Sequence, residues 1–168
     1  MSDVLMVIAN NWFQDYEFWI PFDIFNNAWL KITIAAERKW ECVWIFGSKT
    51  IADISLDKVK WNKYDMVVFI GWWWAFTQYL HNETYLKIWK EAKKLWAICI
   101  APMILSEAWI FVWKNVTWWN QNDVQKDFVQ DNGGFWVDKP VVVSWNIVTA
   151  NGPDAALEFA EKCLEMIL

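Results

Sequence analysis

A cysteine between a strand and a helix is the residue of this sequence best placed to act as a nucleophile. Ala97 and Ile98 are typical of the end of a short buried strand, and residues 102–108, with Pro102 in the first turn, are typical of a helix. Cys99 therefore falls at a sharp turn beside a helix N-terminus, where unpaired N–H groups favour the thiolate. The alternative is a packing role, since unpaired cysteine is commonly buried.

Two further loops are expected beside Cys99. In a parallel sheet, ligands bind outside the carboxyl ends of the strands, where successive connections part to opposite faces. The loop after the first strand carries Glu17, and the loop after the strand at residues 65–71 offers backbone amides. Together these predict a nucleophile, an acid and an oxyanion site. Glu17 could instead be an exposed residue of a first helical turn, favoured there by the helix dipole.

The elements that must position these residues are predicted from apolar patterning. Continuous apolar runs of strand length indicate strands covered on both faces, and apolar residues at helical spacing indicate crossover helices. Their alternation predicts an α/β sandwich with a mostly parallel sheet. The predicted strands are residues 4–9, 31–36, 65–71, 97–98, 115–117, 140–144 and 147–150, with a small hairpin within 41–55; the predicted helices are 15–28, 83–96, 102–108, 123–131 and one starting near 153.

Length and charge limit the class of protein. The 168 residues fit one domain, residues 1–168, that can bury a core without disulfides or metal. A net charge of −5, with Arg38 as the only arginine, argues against a nucleic-acid or anionic-membrane surface. The longest apolar runs, 66–76 and 95–105, are shorter than the roughly 20 residues that span a bilayer.

The cysteines and the start of the sequence bear on location and cofactors. Three cysteines, Cys42, Cys99 and Cys163, form no C-x-x-C pair and have a single histidine to help them bind metal, so we expect neither metal nor cofactor. Met1-Ser2-Asp3 lacks the basic region of a signal peptide. A reducing cytoplasm is therefore the expected location.

The sequence resembles the ThiJ/PfpI superfamily, which includes the parkinsonism-associated protein deglycase and the PfpI-type intracellular peptidases. The resemblance covers essentially the whole chain. It rests on four motifs, which are specific together although each is weak alone. They are Asn10-Asn11-Trp12-Phe13-Gln14-Asp15-Tyr16-Glu17, Val67-Val68-Phe69-Ile70-Gly71, Ala97-Ile98-Cys99-Ile100-Ala101-Pro102 with Leu105 and Ala108, and Thr149-Ala150-Asn151-Gly152-Pro153.

The resemblance implies a flavodoxin-like three-layer sandwich, usually dimeric, with a reactive cysteine at a nucleophile elbow. By this match Cys99 is the nucleophile and Glu17 its partner, and the backbone N–H groups of Gly71, Trp72 and Ile100 form the oxyanion site. Burial raises the pKa of a glutamate, so Glu17 can stay protonated and donate a hydrogen bond to sulfur. The implied substrates are small carbonyl electrophiles, such as reactive dicarbonyls.

Departures from the family pattern leave the activity open. PfpI-type peptidases have histidine directly after the cysteine, where this chain has Ile100, which weakens a peptidase or amidase function. Deglycase-like members have a histidine after the next strand, near Trp118 and Trp119 here. His81, the only histidine, lies in another segment. A redox sensor or chaperone-like dimer, in which Cys99 is oxidised without turnover, is therefore the second hypothesis.

Seventeen tryptophans against five glycines are a further departure. Tight turns and helix C-termini often need φ > 0, which glycine adopts without strain. Tryptophan there costs on the order of 1–3 kcal/mol per site. Either the backbone differs at these turns, or the chain is not a natural sequence. The family pattern has glycine at tryptophan positions 12, 29, 40, 44, 72 to 74, 96, 109, 113 and 145.

Overall fold

A seven-stranded sheet forms the centre of the protein in the computed structural model, which describes residues 1–71, 81–86, 88–121 and 123–168. Its strand order is β11-β12-β8-β7-β1-β3-β6, and every neighbouring pair is parallel except β11 and β12. The strands are β1 (Asp3–Val7), β3 (Lys31–Ala36), β6 (Ile54–Ser55), β7 (Met66–Phe69), β8 (Leu95–Ile98), β11 (Val141–Ser144) and β12 (Ile147–Ala150).

Two small sheets flank the central one. One has the order β2-β4-β5 and contains the hairpin expected within residues 41–55; the other pairs β9 with β10 in parallel. Their strands are β2 (Asn11–Phe13), β4 (Glu41–Trp44), β5 (Lys49–Ile51), β9 (Asn115–Val116) and β10 (Phe135–Trp136).

Helices cover the central sheet and complete a flavodoxin-like three-layer α/β sandwich, as predicted. The first helix packs against the last one, and the short helix that follows β8 contacts both α2 and α5. The inner strands β1 and β7 are buried on both faces, which explains their continuous apolar sequence. The helices are α1 (Asp15–Asn27), α2 (Glu83–Leu86), α3 (Ile88–Glu91), α4 (Pro102–Glu107), α5 (Val124–Asp131) and α6 (Ala156–Ile167).

The helix predicted over residues 83–96 was wrong at its C-terminal end. Helical structure ends at Glu91, and Leu95 and Trp96 belong to β8. Leu95 continues the apolar period of the preceding helix, so spacing alone could not separate them. The residues of β2 were predicted to be part of a loop. They form a short strand instead, which pairs with β4 outside the main sheet.

Five of the tryptophans at positions where the family pattern has glycine adopt a left-handed backbone, which glycine adopts without strain. Their φ angles lie between 56° and 61°, at Trp12, Trp29, Trp109, Trp113 and Trp145. A shifted backbone therefore does not accommodate the tryptophans at these five positions. The described tryptophans 40, 44 and 96 are not in this conformation, and positions 72 to 74 lie outside the described residues.

Two of these tryptophans end helices in a Schellman motif. After α1, Trp29 is the left-handed residue and the Leu30 N–H donates to the Phe25 carbonyl at 3.0 Å. After α4, Trp109 has the same role. Glycine usually occupies this position because a side chain there is strained. The motif after α5 does use glycine, at Gly133 with φ of 80°.

Within the described ranges, no helix has the length and apolar character needed to cross a membrane.

Candidate active site

Cys99 forms the sharp turn between β8 and α4 that the sequence predicted. Its φ of 64° is left-handed, a strained conformation that persists only where the surroundings fix it. Two backbone hydrogen bonds fix it here: the Cys99 N–H donates to the Ala150 carbonyl at 2.9 Å, and the Trp119 N–H donates to the Cys99 carbonyl at 3.0 Å. Both polar groups of the Cys99 backbone are therefore held by segments far away in sequence.

Gly71 lies directly against this elbow. A Cβ atom at Gly71 would stand 2.6 Å from the Ile98 carbonyl oxygen and 2.8 Å from the Ile100 nitrogen, closer than real Cβ atoms approach. Only glycine therefore fits here without moving the backbone on either side of Cys99. The close approach brings the end of β7 and the Ile100 amide into one small region.

Glu17 reaches the same region from the first turn of α1. Gln14 caps this helix, because its side-chain oxygen accepts a hydrogen bond from the Glu17 N–H at 3.0 Å. The Glu17 side chain is fully buried. Burial raises its pKa well above the ordinary value of 4.5, and the neighbouring Cys99 side chain and Gly71 N–H oppose the rise. The direction of this shift favours the protonated carboxyl, the form that could donate a hydrogen bond to sulfur.

The contact between Glu17 and Cys99 is close but not aligned as a hydrogen bond. No described residue gives either carboxyl oxygen of Glu17 a well-formed hydrogen bond. The two side chains nevertheless shift one another's pKa values, which requires proximity. A buried acid with unsatisfied oxygens beside a thiol is a costly arrangement, and such arrangements are typical of functional sites.

The electrostatics of Cys99 differ from the sequence expectation. Burial raises the pKa of its thiol, the Glu17 carboxyl raises it further, and the Ile100 N–H partly opposes both. The sequence predicted a favoured thiolate from the helix N-terminus. However, α4 has only 6 residues and the Cys99 side chain is 5% exposed, so loss of water outweighs the dipole. Burial therefore favours the protonated form of both partners.

The structure brings together four of the five residues predicted for the site. Cys99, Glu17, Gly71 and Ile100 share one region at the carboxyl end of the sheet, and Trp72 lies outside the described residues. The Gly71 N–H faces Glu17 and the Ile100 N–H faces the sulfur. Their role in holding an oxyanion remains a prediction.

The one histidine of the sequence lies at the end of α4 that is remote from the elbow. The His81 imidazole contacts the Glu107 carboxylate, and the His81 backbone N–H donates to the same carboxylate at 2.9 Å. His81 therefore lies at the C-terminal end of α4, whereas Cys99 lies just before the N-terminal end of the same helix. In the part of the chain that the structure describes, no group of three or more histidine, cysteine or acidic side chains is arranged to hold a metal ion.

Sequence reasoning missed the segment that follows β9. Thr117 donates its N–H to the Thr149 hydroxyl oxygen at 2.9 Å, and two residues later Trp119 donates to Cys99. The family resemblance marked this segment for a histidine that the chain lacks. Its contribution through backbone groups leaves no signal in the sequence, because every residue except proline has a backbone N–H.

Comparison with known proteins agrees with this geometry. The model of the DJ-1/PfpI family matches residues 2–166. An uncharacterized protein of Methanocaldococcus jannaschii is 31% identical over 171 residues, which cover 99% of this chain and 82% of that protein.

Solved structures show the same architecture. A ThiJ/PfpI domain protein from Brachyspira murdochii superposes with a TM-score of 0.90 at 26% identity, covering 98% of this chain and 95% of its own. DJ-1beta of Drosophila melanogaster gives a TM-score of 0.83 at 26% identity, covering 99% of this chain and 91% of its own. Sequence, fold and elbow therefore lead to the same assignment: the chain belongs to the DJ-1/PfpI family.

Proposed function

We propose that this protein uses Cys99 and Glu17 to transform small carbonyl electrophiles, with reactive dicarbonyls as the substrate class. The observation that carries the proposal is the fully buried Glu17 carboxyl, with its raised pKa, beside the thiol of a strained elbow cysteine. A protonated acid that faces a nucleophile can move protons during addition to a carbonyl.

The first step needs no free thiolate. The sulfur of Cys99 attacks the aldehyde carbon, forming a C–S bond and opening the C=O double bond. Glu17 donates its proton to the carbonyl oxygen and accepts the thiol proton on its other oxygen. The product is a hemithioacetal, and the net charge of the site is unchanged. This chemistry suits a pair whose pKa values are both raised by burial.

Turnover of a dicarbonyl requires a second proton movement. The hydrogen on the hemithioacetal carbon leaves as a proton and is delivered to the neighbouring carbonyl carbon, while the hydroxyl proton of the hemithioacetal moves to the oxygen on that neighbouring carbon. The two transfers together convert the hemithioacetal into the thioester of a 2-hydroxy acid. Water then hydrolyses the thioester, releasing a 2-hydroxy acid and the Cys99 thiol. Glu17 is the described acid that faces the sulfur, so we assign this proton transfer to it.

Methylglyoxal loss, followed in Cys99→Ala and in the unchanged protein, tests the proposal. We expect the alanine variant to lose activity by about 100-fold or more, as removal of a nucleophile does. Cys163→Ala is the matched control, because Cys163 is buried in α6 and outside the site. Methylglyoxal loss that survives Cys99→Ala unchanged would falsify the role of the thiol.

A redox sensor is the second candidate, and the placement of His81 favours it. The only histidine of the chain is engaged with Glu107, so a histidine base does not assist turnover at Cys99. Two molecules of hydrogen peroxide would oxidise the thiol to a sulfinic acid and release two molecules of water. A mass gain of two oxygens at Cys99, without methylglyoxal turnover, would support the sensor over the enzyme. Cys42 and Cys163, both buried, serve as internal controls.

We further propose that the protein acts in the cytoplasm as a homodimer, following the family resemblance and the three free cysteines. Sedimentation velocity measures the assembly directly. A monomer at every concentration used for the activity assay would contradict the dimer.

A further inference from the structure

We propose that Thr149 is a positioning residue for the elbow, because its hydroxyl oxygen ties together the two segments that hold the Cys99 backbone. This inference depends on the proposed role of Cys99 as the reactive group. It does not depend on the identity of the substrate.

The hydroxyl of Thr149 lies in the core of the protein. Thr149 belongs to β12, where it pairs with Ala97 of the adjacent strand β8, and its side chain is fully buried. Its Oγ1 atom accepts a hydrogen bond from the Thr117 N–H at 2.9 Å. Thr117 is 1% exposed, so water cannot replace this acceptor.

Each end of this bond leads to Cys99 within two residues. On the β12 side, the next residue, Ala150, accepts from the Cys99 N–H at 2.9 Å. On the other side, Trp119 donates to the Cys99 carbonyl at 3.0 Å. Thr149 therefore closes a ring of hydrogen bonds that contains both backbone polar groups of the cysteine.

A closed ring of this kind explains how Cys99 keeps a strained conformation. A left-handed non-glycine residue persists only where its surroundings leave no alternative. Without the Thr149 oxygen, the buried Thr117 N–H has to find another acceptor, and the segment that ends at Trp119 moves with it. The sulfur would then shift relative to the Ile100 N–H and the Glu17 carboxyl that face it.

Alkylation of Cys99 by iodoacetamide, measured against pH and resolved by peptide mass spectrometry, tests the inference. We expect Thr149→Val to move the midpoint of the pH profile upward, because the sulfur loses the aligned Ile100 N–H. A shift of one unit lowers the rate at neutral pH about tenfold. Thr149→Ser retains the hydroxyl oxygen and should restore the original profile.

Thr33→Val is the matched control, since it makes the same change on β3, away from the elbow. If Thr149→Val fails to fold, Thr149→Ala replaces it, with folding checked by circular dichroism. Identical profiles for the Thr149 variants and Thr33→Val would overturn the inference. Methylglyoxal loss is measured in the same samples. If the protein without substitutions does not consume methylglyoxal but Thr149→Val still shifts the alkylation profile, the result contradicts the proposed substrate class and leaves the role of Thr149 intact.

Discussion

The elbow and the tryptophan turns adopt the same left-handed backbone for different reasons. Cys99 has φ of 64°, and Trp29 and Trp145 both have φ of 60°. The Cys99 side chain is 5% exposed, whereas those of Trp29 and Trp145 are 81% and 86% exposed. Similar local strain therefore occurs in the core at the candidate site and on the surface at ordinary turns.

The turns show a mismatch between residue type and backbone. Trp29 ends α1 in a Schellman motif, the same motif that Gly133 completes after α5. Trp145 occupies the first central position of the two-residue turn between β11 and β12, where glycine is preferred when φ is positive. Glycine would adopt all these conformations freely, whereas at the elbow a side chain is needed for chemistry. Strain at Cys99 has a proposed function, and strain at the turns has none.

Gly71→Ala should have the largest effect and would show how rigid the elbow is. The added methyl group would stand 2.6 Å from the Ile98 carbonyl oxygen, so the backbone around Cys99 must move. We expect the free energy of unfolding to fall by about 3 kcal/mol, measured by urea denaturation. Gly134→Ala is the control, because its methyl group would be no closer than 3.2 Å to any neighbour. Equal losses in the two variants would show that the elbow tolerates movement.

Glu17→Gln should have the next largest effect, with the opposite sign. Burial raises the folded-state pKa of Glu17, so the folded chain keeps a proton that the unfolded chain releases above pH 4.5. The stability that the Glu17 carboxyl contributes is fully present below pH 4.5 and is lost as the pH rises towards the raised pKa. We expect Glu17→Gln to flatten this dependence and to raise the free energy of unfolding at pH 8 by about 2 kcal/mol. Parallel stability curves from pH 4 to pH 8 would contradict the raised pKa.

Trp29→Gly should have the smallest effect and tests the strain at the turns. Relief of the left-handed strain outweighs the entropy that glycine adds to the unfolded chain, so we expect a gain of about 1 kcal/mol by thermal unfolding. Trp40→Gly is the control, because Trp40 is also exposed but does not have positive φ, and it should lose stability. A loss in both variants would mean that the tryptophan side chain at position 29 stabilises the protein.

The fold was largely predictable because its strongest signals are local. Strand β3 has the predicted bounds, since helix and turn signals delimit its apolar run on both sides. The extent of β8 could not be predicted in this way. Leu95 continues the apolar spacing of the preceding helix, but its burial in the sheet decides its conformation. Tertiary pairing overrode the local pattern there.

The positions of the candidate site residues could be predicted from the sequence, but their electrostatics could not. Cys99 and Glu17 were recognisable from motifs, and both lie where the topology of a parallel sheet places ligands. The state of the thiol depends on how much water reaches it, which no spacing of residues reveals. The Thr149 and Trp119 hydrogen bonds were equally hidden, because they join polar groups that many sequences could supply.

The hydrogen bonds to Cys99 also determine when the site can form during folding. The acceptor of the Cys99 N–H is Ala150, in β12, which the ribosome adds after the elbow. The elbow therefore cannot reach its final shape on the ribosome until β12 has emerged and paired with β8. The final geometry of the elbow thus depends on a strand that is synthesised after the cysteine itself.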